Sequence, residues 1–216
     1  MKTINDILKV YFIAGTTDAR HMPLPDCLER AIEGGITCFQ YREKGPGALT
    51  GDEKTKMGRT LRDICQKRGI PFVVNDDVAL AVALEADGIH VGQEDMNASD
   101  VKSRIPDGCF LGVSVHSFKE AEAAKDAGAD YFGIGPVYPT GSKADAKDAI
   151  GPAGIRIYRD AGIKMPVVAI GGITPENTPG IMKAGADGVS MISAIAGQED
   201  PKAAARAFQH ATTVRT

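Results

Sequence analysis

The sequence contains no tryptophan, few aromatic residues and no long apolar run. Aromatic residues make up 6% of the 216 residues, and the longest apolar stretch, about Val78–Leu84, is followed directly by Glu85. A membrane-spanning helix needs about 18 consecutive apolar residues, so none is expected. The segment Met1–Val10 lacks the basic stretch followed by an apolar core that marks a signal peptide. We therefore expect a cytoplasmic protein that does not bind membranes.

The cysteine pattern and the net charge exclude two further classes of protein. Cys27, Cys38, Cys65 and Cys109 form no Cys-x-x-Cys pair, and none lies at zinc-ligand spacing from a histidine. Free thiols in a reducing compartment are therefore expected. Lys and Arg total 25 against 28 Asp and Glu, which gives a net charge of −3. No basic surface for nucleic acid is expected from this balance.

Short apolar runs alternate with amphipathic segments along the whole chain. Runs rich in valine, isoleucine, phenylalanine and tyrosine are typical of parallel strands buried on both faces. The predicted strands are Val10–Ala14, Cys38–Arg42, Pro71–Asn75, Gly88–Val91, Phe110–Val115, Tyr131–Gly135, Val167–Gly171 and Gly188–Ile192. Segments between them carry apolar residues at spacings of three and four, which indicates helices. These predicted helices include Leu24–Glu33, Lys54–Lys67, Val78–Glu85 and Phe118–Ala127.

The regular alternation of strands and helices predicts an α/β barrel. Glu85–Gly88, Ala127–Asp130 and Ala184–Asp187 form a weak repeat in which a helix end leads into a strand. Eight strands leave roughly 27 residues per unit, enough for a strand, a helix and two short loops. An open sheet with a dinucleotide site would need Gly-x-Gly-x-x-Gly after the first strand, which this sequence lacks. We therefore predict a single-domain (β/α)8 TIM barrel over residues 1–216, with its site at the C-terminal ends of the strands.

Cationic and amide side chains follow the second predicted strand. Alternation places Gln40, Arg42 and Lys44 on one side of the chain. One amide with two cations suits an anionic ligand, particularly phosphate oxygens. The alternative is a salt bridge with Glu43 and a solvated Lys44.

Carboxylates follow the third and fourth predicted strands. Asp77 is placed to cap the helix that begins at Val78, which leaves Asp76 to face the barrel mouth. Asp95 follows the next strand, so the Asp76 and Asp95 side chains are expected to be neighbours. Two close carboxylates repel each other unless a cation lies between them. Our interpretation is Mg2+ that bridges a diphosphate, and the alternative is a pair of unrelated helix caps.

Polar residues also follow the fifth and sixth predicted strands. Ser114 can donate to a phosphate or to a ring nitrogen, and His116 is either a proton carrier or a helix-start residue beside Ser117. The loop Tyr138–Ile150 has roughly 13 residues, which is long for a connection from strand to helix. Its small hydroxyls beside Lys143 suit a phosphate clamp that closes over the substrate, and a solvated loop is the alternative.

The last two predicted strands end in small residues. Loops after the seventh and eighth strands bind a phosphate monoester in many barrels. Gly172 allows backbone N–H groups to approach an anion, and Ser193 can begin a short helix that faces it. A plain glycine turn is the alternative. Together the segments predict two anion sites, and hence an enzyme that joins two phosphorylated molecules or cleaves one.

Taken in order, these segments resemble the thiamine phosphate synthase family. The matching segments are Gln40–Lys44, Val74–Asp77, His90–Asp95, Gly112–Ser114, Gly135–Thr140, Lys143 and Ala169–Ile173. The resemblance implies a (β/α)8 barrel that couples an aminopyrimidine methyl diphosphate to a thiazole ethyl phosphate and releases diphosphate. The thiazole could be in its plain or its carboxylated form. The resemblance also implies Mg2+ as cofactor.

The resemblance assigns an expected role to each matching residue. Contacts with the pyrimidine diphosphate are implied for Gln40, Arg42, Lys44, Asn75, Ser114 and Lys143, of which Arg42, Lys44, Ser114 and Lys143 are the predicted catalytic residues. Contacts with the thiazole phosphate are implied for Thr140, Ser142, Gly172, Ile192 and Ser193, and Mg2+ ligation for Asp76 and Asp95. Ser142 stands where the family commonly has threonine, so the hydroxyl is kept and a methyl group is lost.

Other functions stay open at this point. The related thiazole tautomerase shares the barrel and a histidine in the segment that holds His116, but it needs neither a diphosphate clamp nor a metal. A barrel that regulates a partner without catalysis would not need the charged site. A sugar-phosphate epimerase would need an acid and a base on either side of one carbon, which we do not find. The expected partners are two small phosphorylated substrates, and a homo-oligomer is compatible with the sequence.

Overall fold

The computed structural model describes residues 3–141 and 148–213, and its centre is a closed barrel of eight parallel strands. The strands are β1 Val10–Ala14, β2 Cys38–Tyr41, β3 Phe72–Asn75, β4 Gly88–Val91, β5 Phe110–Val115, β6 Tyr131–Ile134, β7 Val167–Ile170 and β8 Gly188–Met191. Each strand pairs with the next, and β8 pairs with β1 to close the barrel. The predicted (β/α)8 barrel is confirmed, whereas its extent as one domain over residues 1–216 stays a prediction.

Helices surround the barrel. They are α1 Ile4–Leu8, α2 Leu24–Gly34, α3 Gly51–Arg68, α4 Val78–Ala83, α5 Ala98–Lys102, α6 Phe118–Asp126, α7 Gly151–Asp160, α8 Thr178–Lys183, α9 Ser193–Ala196 and α10 Pro201–Thr213. The four predicted helices are all present, with ends that differ by at most three residues. No helix in the described ranges is long and apolar enough to span a membrane.

Two apolar cores hold the fold together. The larger core lies between the outer faces of the strands and the helices, and α2 with Leu24, Leu28 and Ala31 is typical of its helical side. The smaller core fills the barrel interior, with Tyr11 and Tyr131 among its fully buried members. Helix α1 packs against this interior through Ile4, Ile7 and Leu8, whereas the C-terminal ends of the strands surround a cavity.

Four polar side chains join strand pairs at the opposite, N-terminal end of the barrel. Each precedes an even-numbered strand and accepts a hydrogen bond from an N–H near the start of the strand before it. The bonds are Val10 N to Thr37 Oγ1 at 2.8 Å, Phe72 N to Asp87 Oδ2 at 2.8 Å, Leu111 N to Asp130 Oδ2 at 2.7 Å and Val167 N to Asp187 Oδ2 at 2.8 Å. The three aspartates belong to the repeated segments of the sequence, so the repeat marks a structural device that stabilises this face.

Candidate active site

The C-terminal ends of the strands surround a cavity of about 250 Å3. Most of the predicted site residues line it: Arg42, Lys44, Asn75, Asp76, Asp95, Ser114, Thr140, Gly172, Ile192 and Ser193. Gln40 does not reach this surface, because its side chain is 2% exposed and is bonded to Tyr11 inside the barrel. Ser142 and Lys143 lie outside the described residues. One cavity therefore brings together residues from β2 to β8.

The Asp76 and Asp95 carboxylates share one cation, the Lys44 ammonium. Lys44 Nζ forms an ion pair with Asp76 Oδ2 and lies 3.6 Å from Asp95 Oδ1. The other Asp95 oxygen accepts a hydrogen bond from Gly92 N at 2.8 Å. The carboxylates are thus neighbours, as predicted, and the alternative of two unrelated caps is wrong for Asp76. Lys44 is exposed, as the alternative had it, but its ammonium is paired with the carboxylates.

Burial sets the charge balance of this cluster. Burial and the neighbouring Asp95 carboxylate raise the pKa of Asp76 to about 6, and the contact with Lys44 only partly opposes them. Burial also disfavours ionisation of Asp95, but its contacts with Asp76, the Gly92 N–H and Lys44 hold its pKa below the ordinary value. The two carboxylates and the Lys44 ammonium therefore form one electrostatic cluster, in which the Arg42 guanidinium also acts on Lys44.

Backbone geometry aims Asp76 into the cavity. Asp76 has a φ of +60°, a left-handed conformation that aspartate tolerates better than most residues. Its N–H donates to the His90 carbonyl at 2.9 Å, which ties the end of β3 to β4. Asp77 then caps α4 by accepting from Leu80 N at 3.0 Å, and it also pairs with Lys54 at 2.8 Å. The predicted division of labour between the two aspartates is confirmed.

Glu43 organises the loops around the cationic residues. Its carboxylate accepts hydrogen bonds from the N–H and the hydroxyl of Thr16 and from Leu49 N. The proposed alternative of a salt bridge with Glu43 is therefore wrong, because Glu43 joins the loops after β1 and β2 instead. Arg42 makes no ion pair within the described ranges, and it lines the cavity. An arginine in this setting is available to an anionic ligand.

The end of β5 places Ser114 and His116 differently. Ser114 lines the cavity and its Oγ lies 2.9 Å from His90 Nε2. His116 also reaches the cavity, but its N–H and Nδ1 both contact Glu120 Oε2, at 2.7 and 3.3 Å. Ser117 caps α6 beside it. These contacts support a helix-start role for His116.

The loops after β6 and β7 pack against each other through two glycines. Gly171 and Gly172 have φ values of +98° and +60°, and a Cβ on either would collide with the Pro136–Pro139 segment. Val137 N donates to Ile170 O at 2.8 Å and so continues the pairing of β6 with β7. The region after β7 is therefore more than a plain turn. The short helix predicted at Ser193 is present as α9.

A buried hydrogen-bonded chain was not predicted from the sequence. Gln40 Nε2 donates to Tyr11 Oη at 2.9 Å, and Tyr11 Oη lies 2.9 Å from Tyr131 Oη. Tyr131 Oη lies 2.9 Å from His90 Nδ1, and His90 Nε2 lies 2.9 Å from Ser114 Oγ. Alternation within Gly88–Val91 could have placed His90 inside the barrel. The sequence pattern did not single out Tyr11 or Tyr131, because tyrosines within apolar runs are expected simply to pack in the core.

The sequence is similar to a known protein family and to individual proteins. A family model described as thiamine monophosphate synthase matches residues 10–195. The thiamine-phosphate synthase of Geobacillus kaustophilus is 55% identical over 204 residues, which cover 94% of this chain and 91% of that protein. The thiamine-phosphate synthase of Bacillus velezensis is 52% identical over 205 residues, covering 95% and 91%.

A solved structure agrees with the sequence comparisons. Thiamine phosphate pyrophosphorylase from Pyrococcus furiosus superposes with a TM-score of 0.85 at 36% identity. The superposition covers 97% of this chain and 98% of that one. The family match and the two close relatives confirm the resemblance inferred from the ordered segments. The chain therefore belongs to the thiamine monophosphate synthase family of transferases.

Proposed function

We propose that this enzyme joins an aminopyrimidine methyl diphosphate to a thiazole ethyl phosphate, giving thiamine phosphate and diphosphate. The observation that carries the proposal is one cavity lined both by Arg42 and Lys44, beside the two carboxylates, and by Gly172 and Ser193. We propose that the cationic residues form a first anion-binding region and that Gly172 and Ser193 belong to a second. A diphosphate and a phosphate monoester can therefore bind side by side, with the reacting carbon and nitrogen between them.

The diphosphate belongs to the cationic region. Arg42 presents a planar guanidinium that suits two phosphate oxygens at once, and Lys44 adds a second positive charge. Asn75, at the end of β3, supplies an amide at the edge of the same region. Lys143 follows Thr140 in the loop after β6, and we propose that it also contacts the diphosphate. Ser114 binds the pyrimidine ring in this arrangement.

The carboxylate pair fits Mg2+. Asp76 and Asp95 offer hard oxygen donors, and Mg2+ is commonly held by one or two carboxylates together with substrate phosphates and water. The Lys44 ammonium lies beside both carboxylates and so shows that a positive charge is accommodated there. We propose Asp76 and Asp95 as the Mg2+ ligands. When bound, Mg2+ would offset the negative charge that develops on the departing diphosphate.

The thiazole phosphate belongs to the second region. Thr140 and Ser193 supply hydroxyl groups at the cavity wall, and Gly172 lines the same wall. Ile192 adds an apolar contact surface. Ser142, two residues after Thr140 in the sequence, is proposed as a further hydroxyl donor. The carboxylated and plain thiazoles would both present this phosphate.

The reaction needs no protein nucleophile. The bond between the pyrimidine methylene carbon and the diphosphate oxygen breaks, and both bonding electrons leave with the diphosphate. The aminopyrimidine ring stabilises the positive charge left on the methylene carbon. The thiazole nitrogen then donates its lone pair to that carbon. Catalysis consists of positioning the two substrates and stabilising the leaving group through Arg42, Lys44 and Lys143.

The proposal is tested by incubating the protein with both substrates and Mg2+ and omitting each substrate in turn. We expect thiamine phosphate and diphosphate in equal amounts, and only when both substrates are present. Isomerisation of the thiazole phosphate tautomer without the pyrimidine substrate would instead identify a tautomerase. Binding of both substrates without turnover would identify a regulatory barrel.

A further inference from the structure

The polar chain inside the barrel has a defined direction. Gln40 donates its amide hydrogen to Tyr11 Oη, so Tyr11 must send its own proton elsewhere. Cys38, the sulfur beside Tyr11, is a weak acceptor, whereas Tyr131 Oη lies 2.9 Å away and is a strong one. Tyr11 therefore donates to Tyr131. Each phenol carries one hydrogen, so a tyrosine that accepts a hydrogen bond from one neighbour can donate its own hydrogen to the next.

The same reasoning indicates which ring nitrogen of His90 carries the hydrogen. Tyr131 Oη lies 2.9 Å from His90 Nδ1, so a Tyr131 that accepts from Tyr11 has its own hydrogen to donate to that nitrogen. With Nδ1 as the acceptor, Nε2 is the nitrogen that carries the histidine hydrogen, and Ser114 Oγ lies 2.9 Å from it. Burial raises the pKa of both Tyr11 and Tyr131 well above the ordinary tyrosine value, so both phenols keep their hydrogens at neutral pH.

Glycines in strands β5 and β6 leave space for these hydrogen-bonded side chains. Gly112 pairs with Tyr131 across β5 and β6, and a Cβ at Gly112 would collide with the Tyr131 ring. Gly133 pairs with Ser114, and a Cβ there would lie 3.0 Å from His90 Cε1 and 3.5 Å from Ser114 Oγ. Two glycines therefore leave the space in which the tyrosine, the histidine and the serine meet. Other side chains at these positions would displace members of the chain.

We propose that His90, held in its Nε2–H tautomer by Tyr131, is a positioning residue that makes the Ser114 hydroxyl a hydrogen-bond donor to a ring nitrogen of the pyrimidine substrate. Ser114 accepts from His90, so its own hydrogen is free to point into the cavity. A hydroxyl fixed as a donor selects an acceptor, such as an unprotonated ring nitrogen, over an N–H group. The choice of substrate rests on the proposed function, whereas the direction of the chain does not.

The first arm of the test reads the tautomer without any substrate. The four histidines are His21, His90, His116 and His210, so replacing the other three by glutamine leaves His90 as the single histidine. Nitrogen-15 NMR of this variant at neutral pH should show Nδ1 without a hydrogen and Nε2 with one. The Nδ1–H tautomer, or a doubly protonated ring, would overturn the proposal.

The second arm measures the dissociation constant of the pyrimidine diphosphate by calorimetry. Tyr131→Phe removes the hydroxyl that holds the tautomer, and we expect binding to weaken about tenfold, the size of one lost hydrogen bond. In a Ser114→Ala background the same substitution should have no further effect, because the chain acts through Ser114. An equal loss in both backgrounds would show a merely structural role and overturn the proposal. Tyr11→Phe provides a second, equally conservative break in the chain.

The two arms separate this inference from the proposed function. A wild-type protein that does not bind the pyrimidine diphosphate would contradict the proposed function. A protein that binds it but shows the wrong tautomer, or no dependence on Ser114, would contradict the inference alone. The dissociation constant of the thiazole phosphate serves as an internal control, and Tyr131→Phe should leave it unchanged within about twofold.

Discussion

At the scale of the residue, Asp76 combines an uncommon backbone conformation with a carboxylate that lies close to the Asp95 carboxylate. Its φ of +60° is tolerated by aspartate and asparagine, whose short polar side chains favour the left-handed region. Burial and Asp95 oppose its ionisation. Asparagine at this position keeps the backbone and removes the charge, so Asp76→Asn isolates the role of the carboxylate.

Lys143 is proposed to stabilise the charge that develops on the departing diphosphate. We expect Lys143→Ala to raise the transition-state free energy by about 2–4 kcal/mol, as is typical when one donor to a developing negative charge is lost. Steady-state measurement of kcat/KM with both substrates checks this. Lys164→Ala is the matched control, since Lys164 is exposed at the other end of the barrel, before β7. A rate within about twofold of the wild type for Lys143→Ala would contradict the assignment.

The sequence allowed candidate side chains to be placed at the ends of strands, but not the contacts between distant strands. Arg42, Asp76 and Asp95 could be found because each follows a strand whose end is recognisable. Gln40 was expected at the substrate, and its predicted substrate contact stays a prediction, since the side chain lies under the cavity and bonds to Tyr11. Its partner comes from β1, 29 residues away, and no local pattern encodes that contact.

At the scale of the element, helix α4 depends on its N-cap residue, Asp77. Asp77 accepts from Leu80 N and pairs with Lys54. Loss of a capping side chain costs about 1 kcal/mol, whereas an exposed ion pair contributes less. Asp77→Ala should therefore lower the free energy of unfolding by about 1 kcal/mol, and Asp77→Asn by only a few tenths, because asparagine also caps. Chemical denaturation of the three proteins measures both differences.

The pH dependence of the same variants has a definite sign. Burial disfavours ionised Asp77, but the Lys54 ammonium and the Leu80 N–H outweigh it and lower the pKa below the ordinary 3.8. A lowered pKa means that ionised Asp77 stabilises the fold above pH 3.8, and that this stabilisation is lost as the pH falls further. The difference between wild type and Asp77→Ala should therefore shrink below pH 3.8. A difference that grows there would contradict this role.

Strand positions were predicted to within one residue because buried parallel strands form short, continuous apolar runs. The remaining errors lie at strand ends. Pro71 was included in the third strand, but it has no N–H to donate and the strand begins at Phe72. Gly135 and Gly171 were included in the sixth and seventh strands, yet both belong to the loops, where Gly171 takes a positive φ. Tertiary contacts, rather than local propensity, decide these ends.

At the scale of the whole molecule, the two ends of the barrel have different tasks. The N-terminal end is closed by α1 and by the four polar bonds between strand pairs. The C-terminal end carries the cavity and most of the described residues that are proposed to bind substrate or Mg2+. Stability and function can therefore change largely independently, which is a general property of this fold.

The reactivity of the four cysteines tests whether the whole barrel is packed as described. All four are buried, and burial raises the pKa of Cys27 and Cys109 to about 11 and that of Cys38 and Cys65 further. A buried thiol with a raised pKa is a poor nucleophile at neutral pH. We expect no modification by a thiol reagent in the native protein and four modified thiols after denaturation. Rapid native modification of any cysteine, followed by mass spectrometry, would contradict this packing.

The dependence of the diphosphate release rate on Mg2+ tests most directly whether the Asp76 and Asp95 carboxylates take part in the proposed reaction. The rate is measured with both substrates over a range of Mg2+ concentrations, for the wild type, Asp76→Asn and Asp95→Asn, with a chelator as the blank. We predict saturable Mg2+ dependence in the wild type, no release with the chelator, and a loss of at least about 100-fold in kcat/KM in either variant. Release that survives the chelator, or a variant that retains wild-type kinetics and Mg2+ dependence, would contradict the roles proposed for Asp76 and Asp95.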